Sequence, residues 1–289
     1  MKFDVIVGNP PYQKTSDSKG VASQLLWNEF VEQSTKLLKL NGYLCMVHPS
    51  GWRGLGSKCQ SVKTTLLSGQ MNYLEIHDTN DGLKTFGAET QYDWYVWQKC
   101  IPSKSTKIRD QDGNIVTYKI NEYPFIPNGM FDEIFSLVAK DDEQKVEVLY
   151  NSSYHTQREH ISQTKTNTFK YPCVRFVSVE GEPDFFYSNI DNKGHFGIPK
   201  VIFSNGRITS ANCVIDSIGE FGLTQFPIGI IDSIENLPKI ANAMRTEKFR
   251  KMMARCINGQ MPALNPKVLA TFRKDFWKEF VNADGTPKA

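Results

Sequence analysis

FDVIVGNPPYQ, residues Phe3–Gln13, decides how the chain is read. An apolar run broken only by Asp4 ends at Gly8 and turns through Asn9-Pro10-Pro11-Tyr12. A short run of this kind closed by a turn fits a strand buried on both faces of a parallel sheet. The turn then stands at the carboxyl end of the strand, where open α/β sheets place their ligands. Asn9 offers a side-chain oxygen and Pro10 a backbone carbonyl, both hydrogen-bond acceptors. Two acceptors aimed at one exocyclic amine localise its nitrogen lone pair and make a poor nucleophile able to attack a methyl donor. Pro11 stiffens the loop that aims them, and Tyr12 supplies an aromatic face on which a planar base stacks. A base inside duplex DNA cannot reach such a pocket and has to be flipped out. The plain alternative is an ordinary turn, because Asn-Pro and Pro-Pro are common turn pairs.

Outward from this stretch, strand and helix patterns alternate. VASQLLWNEFVEQSTKLLKLNG carries Leu25, Leu26, Phe30, Leu37 and Leu38 at helical spacing, with Asn41-Gly42 as the expected C-cap. YLCMVHPSGW reads as a buried strand, SKCQSVKTTLLSG as a helix, MNYLEIHD as a strand and QYDWYVWQKC as an aromatic strand. Residues 1–105 are thus expected to form part of an α/β sheet. The pattern changes at CIPSKSTKIRDQDGNIVTYKI, where two alternating runs meet at Asp112-Gly113, a hairpin signal. Residues 106–289 are expected to form a second, α+β domain. It holds a helix in NGMFDEIFSLVAK, strands in YPCVRFVSV, DFFYSNI, IPKVIFSNG and NCVIDSI, and helical patterns from about Ile231 onward.

Composition narrows the class. The 289 residues are 40% apolar and 22% charged, as in a globular protein. No stretch reaches the ~18 apolar residues of a membrane span, and the start lacks the features of a signal peptide, so a cytoplasmic protein is expected. Six scattered cysteines, without a CxxC pair or histidines at ligand spacing, read as reduced thiols and give no metal site. The net charge is only +3, but KIANAMRTEKFRKMMARCINGQ sets Lys239, Arg245, Lys248, Arg250, Lys251 and Arg255 against Glu247 alone. Such a run is either a solvated helix face or a phosphate-contacting one.

FDVIVGNPPYQ, GYLCMVHPSGW and LKTFGAETQYDWYVWQK together resemble the second half of the catalytic domain of gamma-class N6-adenine DNA methyltransferases of restriction-modification systems. The resemblance implies a partial Rossmann-like sheet and S-adenosylmethionine as methyl donor. It makes Asn9 and Pro10 the amine-binding acceptors, Tyr12 the stacking ring beside Pro11, and Phe86 the ring for the opposite face of the base. GHFGIPKVIFSNGRIT, TQFPIGII and EKFRKMMARCINGQ are similar to the target-recognition region of the same enzymes. By that likeness Lys200, Asn205 and Arg207 are expected at base edges, and Lys248, Arg250, Lys251 and Arg255 at phosphates of double-stranded DNA.

The family's pattern also has a Gly-rich loop and a ribose-binding acid ahead of Asn-Pro-Pro-Tyr, which this sequence lacks. GWRGLGSK and IGEFGLTQ read as turns rather than as displaced copies. Val5, Ile6 and Val7 are then expected on an exposed edge that invites a partner. Either a separate polypeptide carries the cofactor-binding half, or the chain is a fragment. Two rivals stand beside this reading: a protein glutamine methyltransferase, which uses the same motif on a planar amide, and a non-catalytic DNA-binding specificity subunit. Cytosine's exocyclic amine would meet the same acceptors as adenine's. His77, His155, His160 and His195 receive no role, and no nuclease arrangement is seen.

Overall fold

The computed structural model describes residues 1–13, 25–206, 212–258 and 263–288. Contacts divide the chain into two units, Met1–Phe131 with Arg255–Met261, and Asp132–Ala254 with Pro262–Ala289.

The first unit contains β1 (Phe3–Gly8), α1 (Leu26–Leu37), β2 (Leu38–Pro49), α2 (Gln60–Leu67), β3 (Gln70–His77), α3 (Thr79–Phe86), β4 (Tyr92–Gln98), β5 (Thr106–Arg109) and β6 (Ile115–Tyr118). Its six-stranded sheet has the order β1-β2-β4-β3-β5-β6. It is mixed: β1–β2 and β3–β5 run parallel, and the other pairs are antiparallel. One face is a closed core in which Leu44, Met46, Leu74, Tyr95, Trp97 and Ile108 are buried together with Trp27 and Val31 of α1 and Val62 and Leu66 of α2. The Trp27 ring stacks on His48 of β2 at 4.3 Å. β1 is not enclosed on both faces as its apolar run suggests. Val5 is 55% and Val7 75% exposed, because among the described residues β1 is the edge strand and its second face is uncovered.

Two further expectations are corrected. Asn41-Gly42 does not cap α1, which ends at Leu37 and passes directly into β2. Asn41 takes a φ of 64° inside that strand, and the register of β1 against β2 jumps from Leu38 to Tyr43 there. A β-carbon at Gly42 would stand 2.9 Å from the Asp4 carbonyl, so the pair forms an irregularity that bends β2 around β1. The hairpin at Asp112-Gly113 forms, with Gly113 at φ 86°, but its strands extend the first sheet beyond β3. The division between units therefore falls near residue 131 rather than residue 105.

The second unit begins within α4 (Phe131–Phe135). It has one sheet of β7 (Glu147–Leu149), β11 (Lys200–Ser204), β12 (Cys213–Asp216) and β14 (Pro227–Ile231). A second sheet joins β8 (Ile161–Ser162), β9 (Tyr171–Val177), β10 (Pro183–Ser188) and β13 (Gly222–Leu223). Leu149, Val174, Val177, Ile202 and Leu223 form their shared core. The helices are α5 (Leu237–Arg245), α6 (Glu247–Arg255) and α7 (Pro266–Leu269). Phe249, Phe272, Phe276 and Phe280 are buried in this unit.

Candidate active site

β1 delivers Asn9 to the surface at its carboxyl end, with Pro10 buried beneath it and Pro11 exposed. A hollow of about 690 Å³ opens there, lined by Asn9, Pro10, Pro11, Tyr12, Gln13, Phe86, Ala88, Glu89 and Thr90. Residues separated by more than seventy positions thus meet around one cavity. The Tyr12 and Phe86 rings lie 6.2 Å apart at 74°, edge to face. That arrangement leaves one broad aromatic face on the hollow rather than a ready parallel slot. The Tyr12 hydroxyl is buried and has no partner among the described residues, and burial raises its pKa.

Phe86 is held by the ends of its own helix. Asp78 caps α3 by accepting from the Asp81 amide at 2.8 Å, and Gly87 closes it at φ 68°. A β-carbon at Gly82 would run into the Thr90 carbonyl, so this glycine lets the Ala88–Thr90 wall of the hollow lie directly on α3. Behind Phe86 the contacts continue to Tyr92 at 4.9 Å, whose ring lies flat on His77 at 4.4 Å. Tyr92 donates to Asp81, and burial followed by that bond pushes its phenol up to about 12. His77 Nδ1 meets Asp81 at 2.8 Å, and its Nε2 lies 3.3 Å from Glu75. His77 has no role legible in the sequence, since nothing local joins it to Tyr92; the sheet register pairs them.

GWRGLGSK runs through two short 3-10 turns, Ser50–Arg53 and Ser57–Cys59, and its Gly56 is exposed with open space around it. Arg53 within it is wholly buried and bonds Asp93, Ile126, Pro127 and Asn128. With Arg53 committed to these buried bonds, this stretch does not fit S-adenosylmethionine.

The expected DNA contacts divide. Lys200 is fully buried at the start of β11, with Nζ bonded to Asp216 at 2.6 Å and to the His195 and Ile198 carbonyls at 3.0 Å. It cannot reach a base edge and serves the fold. Asn205 is half-buried, its side-chain oxygen unpartnered among the described residues. Arg207 lies outside the described residues. On α6, Phe249, Met252 and Met253 are buried, while Lys248 and Lys251 are exposed and Arg250 is half-exposed. Lys251 pairs with Glu247 at 2.7 Å, a surface contact that leaves it available. Arg255 differs: it bonds Asp112 twice, at 3.0 and 2.7 Å, with both side chains still partly exposed. Among the described residues no group of His, Cys, Asp or Glu is arranged to hold a metal ion, and no helix is long and apolar enough to cross a membrane.

No curated protein sequence matches the chain. Among solved structures, it is similar to the Type IIL restriction-modification enzyme MmeI in complex with DNA, at 10% identity over 93% of this chain and 45% of that one, with a TM-score of 0.49. The type IIG restriction endonuclease BpuSI is 8% identical over 96% of this chain and 48% of that one, with a TM-score of 0.38. A modification subunit of a putative type I restriction enzyme from Vibrio vulnificus YJ016 is 14% identical over 38% of this chain and 26% of that one, with a TM-score of 0.30. The chain spans less than half the length of each. Residues 1–86, which include Asn9–Tyr12 and end at Phe86, match the family of Eco57I restriction-modification methylases.

Proposed function

We propose that the chain is the base-engaging part of a site-specific DNA methyltransferase that modifies the exocyclic amine of a flipped adenine. One observation carries this: Asn9-Pro10-Pro11-Tyr12 and Phe86 line a single hollow at the carboxyl end of β1. In this reading the Asn9 side-chain oxygen and the Pro10 carbonyl accept from the amine and hold its lone pair toward the donor. Tyr12 stacks on the base, and Phe86 closes on it once the two rings part. Lys248, Arg250 and Lys251 contact DNA phosphates, which adds affinity without sequence choice. Asn205 and Arg207 approach base edges.

Transfer also requires S-adenosylmethionine, held by residues other than those described, whether of a separate polypeptide or of a longer enzyme of which this sequence is a part. A cytoplasmic location goes with this reading. The test is transfer of labelled methyl groups to DNA, with and without a cofactor-binding half. Transfer only in the combined reaction, abolished by Asn9→Ala with DNA affinity retained, is expected. An Asn9→Ala complex of undiminished activity would remove the mechanism.

A further inference from the structure

Both ring nitrogens of His77 face carboxylate oxygens: Nδ1 stands 2.8 Å from Asp81 Oδ2 and Nε2 3.3 Å from Glu75 Oε1. The second contact is charge against charge, since the buried Nε2 makes no hydrogen bond among the described residues. A neutral imidazole carries one N–H, so it either turns a lone pair toward Glu75 or gives up its bond to Asp81. Only the doubly protonated ring suits both neighbours at once. The two carboxylates are themselves anchored. Asp81 belongs to α3, whose last residue is Phe86, and the oxygen that meets His77 also accepts from the Tyr92 hydroxyl. Glu75 shares a face of β3 with His77 and is held by Tyr73 at 2.6 Å and by Arg109 of β5 at 2.8 Å.

We propose that His77 is a positioning residue for Phe86: its charge clamps α3 to β3, and its flat ring backs Tyr92, on which Phe86 rests. That Phe86 so placed meets a flipped base rests on the reading of the preceding subsection. The path from clamp to hollow is short. The His77 and Tyr92 rings are parallel to within 2° at 4.4 Å, Tyr92 meets Phe86 edge to face at 4.9 Å, and Phe86 meets Tyr12 at 6.2 Å. A tilt of Tyr92 therefore moves Phe86, because packed rings leave no slack between them. Without the charge on His77, one wall of the hollow loses its backing, and Tyr12 is left to hold a planar ring alone.

The neighbours of His77 keep their charges while an imidazole changes its own. Burial opposes the charge of Glu75, but the bonds from Tyr73 and Arg109 outweigh it and hold the carboxyl below its usual range. Asp81 is also held low, chiefly by the Tyr92 bond, with Lys84 adding to it. Burial and the same bonds push the Tyr73 and Tyr92 phenols up to about 12, and the Glu75 bond raises the Arg109 guanidinium. Asp93 of β4 feels the His77 charge as well but is committed to Arg53. Histidine is the side chain type that changes charge between about pH 5 and 8.

The test follows the isotopically labelled full chain by NMR across about pH 5 to 8, first alone and then with 9-methyladenine, a planar purine that carries the exocyclic amine. The Phe86 ring and the Gly87 and Thr90 amides should shift with the same midpoint as the His77 ring nitrogens. 9-Methyladenine should bind more tightly on the acid side by roughly three- to tenfold, the worth of one aromatic contact. His77→Arg supplies a planar group that stacks on a ring and donates to both carboxylates at every pH used, so it should keep the acid-side affinity throughout and erase the shifts. His77→Gln should show the weaker, alkaline-side affinity throughout. A residue that merely supports the fold would not be rescued by arginine in this pattern. Phe86 and Gly87 signals that ignore the His77 titration, a pH dependence that persists in His77→Arg, or full acid-side affinity in His77→Gln would each overturn the proposal. Hollow signals untouched by 9-methyladenine at every pH, with Phe86 still following His77, would support the positioning and overturn instead the base-holding reading of the preceding subsection.

Discussion

Arg53 and Asp93 meet at 2.8 Å where neither side chain touches solvent. Trp52 adds a bond to the same carboxylate oxygen at 2.9 Å, and the remaining donors of Arg53 go to the Ile126 and Pro127 carbonyls and to Asn128. Burial raises the carboxyl of Asp93 and the guanidinium opposes that rise. Removing one member of such a pair strands the other, so Arg53→Ala should cost about 3–5 kcal/mol in urea unfolding. Combining Arg53→Met with Asp93→Leu should recover part of the loss; a double variant as unstable as the sum of the two would show that the charge pair is not the source.

Tyr12 separates stacking from hydrogen bonding. Its hydroxyl has no partner among the described residues, so Tyr12→Phe in an assembled enzyme should keep most methyl transfer. Tyr12→Ala should lose the ~1–3 kcal/mol of a base–aromatic stack. Equal damage from both, in single-turnover rates, would give the hydroxyl a role.

Two lysines of the second unit should behave oppositely. Lys251→Ala should reduce the slope of log affinity against log salt by ~0.9 on matched and scrambled duplexes alike. Lys200→Met strands Asp216 in the interior, so it should lower stability by about 3–5 kcal/mol. At temperatures where the variant remains folded, its DNA preference should be unchanged. Altered sequence preference in Lys200→Met would return that residue to the base edge.

Acid should weaken both units through buried histidines. Burial lowers the imidazoles of His48 and His195 from 6.5 to about 4, with the Lys200 charge adding to the effect on His195. Each depressed group contributes stability that is complete above pH 6.5 and is lost as pH falls toward 4, because the unfolded chain takes up the proton first. Between those values stability should drop by up to ~1.4 kcal/mol per pH unit for each histidine. Unfolding followed from pH 7 to 4.5 should show the slope, and His48→Gln should remove its share from the first unit. A variant with an unaltered slope would exclude His48 as the sensor.

β1, β3 and β4 are legible in sequence because each is an apolar or aromatic run stopped by a turn. Phe86 is recognisable only by its place before the aromatic strand, and its distance from Tyr12 depends on Asp78, Gly82 and Gly87 setting α3. What local patterns could not convey are partners far along the chain. A lysine at a strand start reads as surface until Asp216, one strand later, is seen beside Lys200. Arg255 belongs to a basic helical run in sequence and to Asp112, 143 positions away, in space. Asn41-Gly42 fits a helix cap and a strand irregularity equally well, and only the pairing with β1 decides between them.

The order of synthesis follows from one side chain of the first unit. Asn128 orients Arg53, yet its own amide bonds the Arg255 carbonyl at 2.7 Å and its side chain bonds the Ile257 carbonyl at 2.8 Å. More than a hundred residues must therefore leave the ribosome between the last strand of the first sheet and the segment that latches its interior. Until residue 257 emerges, the first unit waits on the translation of the second, and its buried arginine is held by an asparagine not yet fixed in place.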